Sequence, residues 1–276
     1  KATLTNNLQA YYDAEGNRYK SESESNLKWG NSIGAIRWNY KVNPKLFINT
    51  TGTFSDYKFF IGQSSETVIT NTFGDKTENV FRNGFSSGIQ DWSLKSDATY
   101  FLNPKHNIKF GVSEIYHRFT PGVSQTTIID STTNFDSSTG GRKQYSHELG
   151  VYIEDDFKLG KRIKMNAGYR HSLLIIGSKT YNNPEPRLNM NVRLAERTSV
   201  KLGLSRTAQY LHLLSNIGIG LPADLWVPAT ENVAPILANQ ASAGFYQELT
   251  KDIVFSVEGY YKTMENLIQY KEGADF

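Results

Sequence analysis

From Arg187 to Thr207 apolar and polar residues alternate almost without a fault. Leu188, Met190, Val192 and Leu194 take one phase, against Arg187, Asn189, Asn191 and Arg193 in the other. After a break at Ala195–Thr198, Val200, Leu202 and Leu204 resume against Lys201, Gly203 and Ser205. A period of two puts successive side chains on opposite faces of a strand, so this stretch predicts a hairpin with one oily and one wet face. The signal recurs over 90–102, 108–116, 145–157, 163–175 and 253–261, and more weakly over 28–41, 46–58 and 239–249. Together these segments predict about ten strands.

The connections carry a second pattern. Short turns fall at Asn43-Pro44-Lys45, Asn103-Pro104-Lys105, Gly160-Lys161, Glu196-Arg197 and Thr250-Lys251-Asp252. Between them lie longer polar excursions, at 59–86, 118–143, 177–184 and 213–238. In an up-and-down antiparallel sheet alternate connections share an end, so one end is trimmed and the other carries large loops. That asymmetry predicts an all-β, transmembrane, antiparallel up-and-down β-barrel wall. A soluble sandwich is the competing architecture. Against it stand strands of a dozen residues or more, where soluble strands run to roughly 5–6. Aromatic residues also end the oily phase: Trp38, Tyr40, Tyr100 and Phe157 near the short turns, Trp92, Tyr116, Tyr145 and Tyr261 nearer the loops. Two interfacial girdles produce that placement. Glu114, Arg206 and Asp155 fall in the oily phase. A charge costs least near an interface, so these three are expected at the rims, or after a bulge that shifts the register.

Composition narrows the picture. No apolar stretch reaches the roughly 20 residues of a membrane helix. Cysteine is absent, which excludes a disulfide framework, a thiolate metal site and a cysteine nucleophile. A formal charge of +3, spread along the strands, gives no footprint for nucleic acid. Lys1-Ala2-Thr3-Leu4 is not a signal peptide. Ser21–Asn26 and Tyr270–Phe276 do not alternate as closing strands would, and both read as loop, so both ends read as cuts in a larger barrel.

Four stretches of the last third carry a resemblance: PEPRLNMNVRL (184–194), YLHLLSN (210–216), LPADLWVPAT (221–230) and FSVEGYYKTMENLIQYKEGADF (255–276). In these the chain resembles the TonB-dependent outer-membrane receptors of the Bacteroidota type. The resemblance implies a 22-stranded barrel in the cell outer membrane, closed by an N-terminal plug domain that this sequence lacks. Residues 1–276 would then be part of the barrel domain. It also implies uptake of a scarce nutrient with energy delivered by TonB through the plug, and contact with outer-membrane lipid and lipopolysaccharide. No cofactor is implied.

Candidate chemistry is sparse. A rim-site hydrolase needs a histidine beside a nucleophile or water and a carboxylate. His106, His117, His147, His171 and His212 carry no such local motif, and no catalytic residue is assigned. DSTTNFDSSTGG (130–141) is rich in oxygen donors but lacks the spacing of a calcium loop, and reads as a solvated loop. In LPADLWVPAT, Asp224 and Trp226 lie between backbone-restricting Pro222 and Pro228. With Arg206, Tyr210 and His212 at the top of the preceding strand they form the candidate ligand-binding set, for a small nutrient of unknown kind. The wet-phase charges, Asp91, Lys95, Asp97, Lys109, Glu148, Glu154, Arg170 and Arg187 among them, have both signs and suit cross-strand pairing or a plug. The alternative is a small complete barrel acting as a porin or hydrolase. It would require the strand at 28–41 to bond to that at 253–264.

Overall fold

The computed structural model describes residues 2–140, 142–216 and 223–269. The strands are β1 (Ala2–Tyr12), β2 (Arg18–Asn43), β3 (Leu46–Thr70), β4 (Lys76–Asn103), β5 (His106–Ile129), β6 (Asn134–Gly140) and β7 (Gln144–Leu159). They continue as β8 (Ile163–Ile176), β9 (Lys179–Ala195), β10 (Thr198–Gln209), β11 (Leu211–Asn216), β12 (Ala223–Pro228), β13 (Ile236–Glu248) and β14 (Val254–Glu265). Among the described residues no helix forms. Twelve strands make one sheet in the order β1-β2-β3-β4-β5-β7-β8-β9-β10-β13-β14, with β6 paired to the far part of β5; β11 and β12 form a separate hairpin. Every pairing in the main sheet is antiparallel and, β6 and the inserted hairpin aside, joins strands consecutive in the chain. The edges β1 and β14 are not bonded to each other, so the pairing that a small closed barrel requires is not formed among the described residues.

The up-and-down order and the five short turns follow the alternation. Three of the four expected long loops do not; the fourth, 213–238, does leave the main sheet, and its residues 217–222 lie outside the described ones. Residues 59–86 are the far halves of β3 and β4, paired from Ile61↔Phe85 to Thr70↔Lys76 and closed by a turn at 71–75. Residues 118–143 extend β5 and add β6, and 177–184 is a two-residue turn followed by the start of β9. Ser21–Asn26, expected as loop, pairs with β1 on one side and β3 on the other. The physical reason is that these stretches are rich in Thr, Ser, Val and Phe, which pair well in a ladder without needing a core beneath them. Among the described residues fourteen strands thus replace the expected ten or so, because the polar parts carry strands well beyond the oily band.

Directly paired residues share a face, so the registers fix the two surfaces. The oily phase is one continuous surface. Ile36 is 81% exposed, Val112 55%, Ile153 55%, Leu204 55% and Val257 57%, and among the described residues no second layer covers them. So much contiguous exposed apolar area marks a surface that meets lipid. On β4 the band runs from Tyr100 to Trp92 and on β5 from Ile108 to Tyr116. That length matches the roughly 9–11 residues with which a tilted strand crosses a bilayer. Ring contacts border it: Phe54–Trp92 at 5.3 Å, Trp92–Tyr116 at 5.7 Å and Tyr116–Tyr145 at 6.2 Å toward the long end, Trp38–Tyr40 at 5.5 Å toward the short turns.

Glu114 and Asp155 do face outward, and no bulge shifts the β5–β7 register before them. Each is met across the ladder instead. His147 Nδ1 lies 3.0 Å from Glu114 and His106 Nδ1 2.6 Å from Asp155, beside the aromatic rows at opposite ends of the band. Arg206 also keeps the outward phase, opposite Asn239.

Candidate functional site

The other face of the sheet is polar, and β11–β12 folds back over it. Pro184 and Pro186 lie where β9 has only β8 as partner, because the β9–β10 ladder stops at Arg187↔Ser205. Proline offers no N–H to a further ladder bond. The freed Ala208 N–H donates instead to Glu185 Oε2 at 3.3 Å. Beyond it the chain leaves the sheet at Tyr210 and runs inward as the hairpin, with β12 packed against β5. Ala229 N donates to Tyr210 O at 2.8 Å and closes the hairpin base. Tyr210 and Ala229 pack on Leu174 and Ile176, with Tyr181 and Ala208 at the border. Tyr181 Oη donates to Thr230 O at 2.8 Å.

Beneath this cover a polar chain crosses five strands, β4, β5, β7, β8 and β9, and ends on Tyr210. His117 Nδ1 is 2.7 Å from Asp91 Oδ1, and its Nε2 is 3.6 Å from Glu148. Arg170 stands between two carboxylates, 3.3 Å from Glu148 and 3.6 Å from Glu185. Ser172 Oγ donates to Glu185 at 2.5 Å and shares a 2.7 Å bond with Tyr210 Oη, which also accepts from Asn183 Nδ2 at 2.8 Å. His117, Ser172, Asn183, Glu185 and Tyr210 are all buried. Burying so many polar groups is tolerable only because nearly every one has a partner. Lower on the same face Lys109 bridges Glu154 at 3.3 Å and Asp156 at 2.9 Å, and Lys95 reaches Asp97 at 3.0 Å, so the mixed wet-phase charges pair within the wall.

Of the residues singled out from sequence, Tyr210 and His212 lie in this region, both buried. Trp226 pairs in register with Leu213 and is half-buried. Asp224 sits opposite Ser215 in the hairpin; its side chain and Pro222 lie outside the described residues. Arg206, on the outward face, is not brought together with them. Sequence reasoning missed His117, Ser172 and Glu185 as members of one chain with Asp91, Glu148 and Arg170. Neighbours in sequence point apart on a strand, and only the cross-strand register unites them. The 130–141 stretch is not wholly a loop: Asp130 accepts from the Thr132 and Thr133 N–H groups at 2.7 Å and turns the chain into β6. No group of three potential metal ligands occurs among the described residues.

The arrangement pairs its own polar groups with one another; it does not prepare a nucleophile. Both nitrogens of His117 face carboxylates, and Ser172 spends its hydroxyl on Glu185 and Tyr210. A serine hydrolase needs the hydroxyl against the imidazole.

A latch holds the far end of the cover. Glu231, in the loop after β12, accepts from Ser178 N at 2.6 Å and from Ser178 Oγ at 2.9 Å, and these bonds hold its carboxyl below the ordinary value. A depressed carboxyl contributes stability above the ordinary carboxylate range and loses it as pH falls through the depressed value. Amide exchange at Ser178, corrected for its intrinsic rate, is therefore expected to speed up on acidification below that range. In Glu231→Gln it is faster at neutral pH already and loses that step. An unchanged profile in Glu231→Gln would remove Glu231 as the latch.

The family whose model matches is described as "TonB dependent receptor-like, beta-barrel", over residues 2–276. No curated protein matches the chain. Among solved structures, the siderophore receptor PirA from Pseudomonas aeruginosa shares 14% identity at a TM-score of 0.45, with 92% of this chain and 51% of that one covered. The copper transporter OprC shares 12% at 0.48, covering 93% and 52%. The FrpB iron transporter from Neisseria meningitidis shares 8% at 0.46, covering 92% and 52%. The chain thus spans about half the length of these structures, and likenesses this distant carry no argument of their own. The family match covers the whole lipid-facing sheet and the inward hairpin alike, and by it the chain belongs to the TonB-dependent receptor β-barrel family.

Proposed function

We propose that this chain is the membrane wall of an outer-membrane receptor that takes up a scarce nutrient with TonB-coupled energy. The family match over residues 2–276 carries the reading. The exposed apolar face supports it, as does a polar face already partly covered by chain. In the whole protein a plug domain would fill the remaining polar face, within a 22-stranded barrel of the Bacteroidota type. TonB would act through that plug. Tyr210, His212, Asp224 and Trp226 would shape the ligand-facing mouth. Arg206 would face lipopolysaccharide, since it shares the outward phase with Leu202 and Leu204. The ligand is a siderophore, a cobalamin-like compound, a peptide or an oligosaccharide. The protein is a transport receptor and not an enzyme.

The test is genetic. A strain lacking the whole gene is expected to lose growth on one limiting source from a panel of those four ligand classes. The intact gene restores that growth only where TonB is active. Restoration without TonB would identify a passive pore instead.

A further inference from the structure

Toward the long end of β2–β5 and β7 the outward face changes from apolar to basic. The last apolar row is Phe54, Trp92 and Tyr116, paired across β3, β4 and β5. The next outward row is Asp56, Gln90 and Arg118, and the one after it Lys58, Gly88 and Thr120. Gly30 stands opposite Lys58 on the other side, with Lys28 opposite Phe60 in the following row. Gly30 and Gly88 flank Lys58 and project no side chain, so a trough of about 580 Å³ opens there. Lys28, Lys58, Arg118 and Lys143 line it, with Asp56 as the one acid among its lining residues.

The polar contacts leave its cationic character intact. Asp56 lies 2.8 Å from Lys58, whose side chain remains 75% exposed. Arg118 Nη1 donates to Gln90 at 3.2 Å, one bond from a group with five donors. The Lys28 ammonium lies 5.4 Å from the Phe60 ring centroid, a contact that keeps its full charge. Four cations against one carboxylate in a single trough repel one another, and a multivalent anion relieves that repulsion.

The position of the trough selects the anion. One to three outward steps separate its cations from the aromatic row, roughly 7–20 Å along the strand at about 3.4 Å per residue. Acyl chains end at such a row, and phosphorylated headgroups stand just beyond it. We propose that the trough binds the phosphate groups of an outer-leaflet glycolipid, whose acyl chains lie along the apolar band below. The inference rests on the proposed outer-membrane placement, with the long strand ends facing outward. Arg118 offers a planar fork suited to a phosphate, and Lys28, Lys58 and Lys143 add point charges.

The experiment uses the full-length receptor purified from membranes in mild detergent. Heat-modifiable gel mobility checks that it is folded, and fractionation checks that it came from the outer membrane. Retained glycolipid is measured by mass spectrometry. The Lys58→Glu/Arg118→Glu variant is expected to retain at least about tenfold less, since each basic group near a lipid surface contributes a substantial factor. Lys45→Glu, at the short-turn end, is expected to retain as much as the wild type. Phosphatase treatment of the glycolipid before it is added back to delipidated wild type should cause a similar loss, and this arm stands even if the double variant fails to fold. Inorganic phosphate at millimolar concentration should not displace the lipid. Equal retention by the double variant, or equal binding of the dephosphorylated lipid, would overturn the site while leaving the receptor reading intact. Displacement by inorganic phosphate would overturn it too, as a free-anion site. A folded receptor found outside the outer membrane would overturn the receptor reading itself.

Discussion

Leu202→Arg is expected to destabilise the folded receptor by about 2–4 kcal/mol, the cost of placing a guanidinium on the lipid face near the middle of a bilayer. Leu202 lies between Val200 and Leu204 on its own strand and opposite Met190 and Ala243 on its neighbours. No acid stands among these to pair with the new charge, so the full transfer penalty is felt. Lys201→Gln, one residue away, is the contrast. Lys201 faces the polar side, with its ammonium 3.8 Å from the Tyr246 ring centroid. Its loss removes a cation–π contact worth roughly 0.5–1 kcal/mol. Urea unfolding of the full-length receptor in lipid vesicles measures both. Two equal, small effects would mean that Leu202 meets water or protein, and the lipid-facing wall would go with it.

The same alternation explains which parts of the fold could be read from residues alone. Wherever one face meets lipid, a slip of one residue would turn every apolar side chain inward, so pattern and register are tightly coupled. Residues 187–207 and 253–261 show it plainly, and there the expected strands and the observed ones coincide. Beyond the band β2, β3 and β4 mix polar residues with apolar ones such as Leu27, Phe59 and Ile61, and the pattern loses its period while the hydrogen-bonded ladder continues. Gln63↔Asn83 and Glu66↔Val80 are paired as firmly as Phe54↔Trp92, yet nothing in their side chains announces a strand. The site was legible only by halves for a related reason. Tyr210 and Trp226 could be picked out as aromatics beside prolines. Glu185, far from Ser172 and Arg170 in the chain, joins them only through the pairing of β8 with β9. Strand registers, not motifs, carry that information.

Arg170 is where the cover over the polar face depends most on a single side chain. Arg170→Met is expected to leave Glu148 and Glu185 without their shared cation, with those carboxylate side chains only 18% and 8% exposed. Breaking a fully buried pair costs roughly 3–5 kcal/mol; because Arg170 itself remains 32% exposed, about 2–3 kcal/mol is expected here. The loss propagates along the bonds already described. Glu185 holds both Ser172 Oγ and Ala208 N, and Ser172 holds Tyr210, where the inward hairpin begins. Repelled by Glu148, the Glu185 carboxylate takes up water, and the 210–235 segment becomes open to protease. Glu185→Gln in the Arg170→Met background should recover part of the stability, because it removes the carboxylate left without a cation, while Glu148 keeps His117 at 3.6 Å. Arg170→Lys should recover less than the arginine it replaces: its compact ammonium lacks the span of the guanidinium, whose Nη2 faces Glu148 and whose Nε faces Glu185. If Arg170→Met alters neither the unfolding free energy nor cleavage within 210–235, the hairpin is held by its packing on Leu174 and Ile176 alone. The polar chain would then be a passenger rather than the clamp.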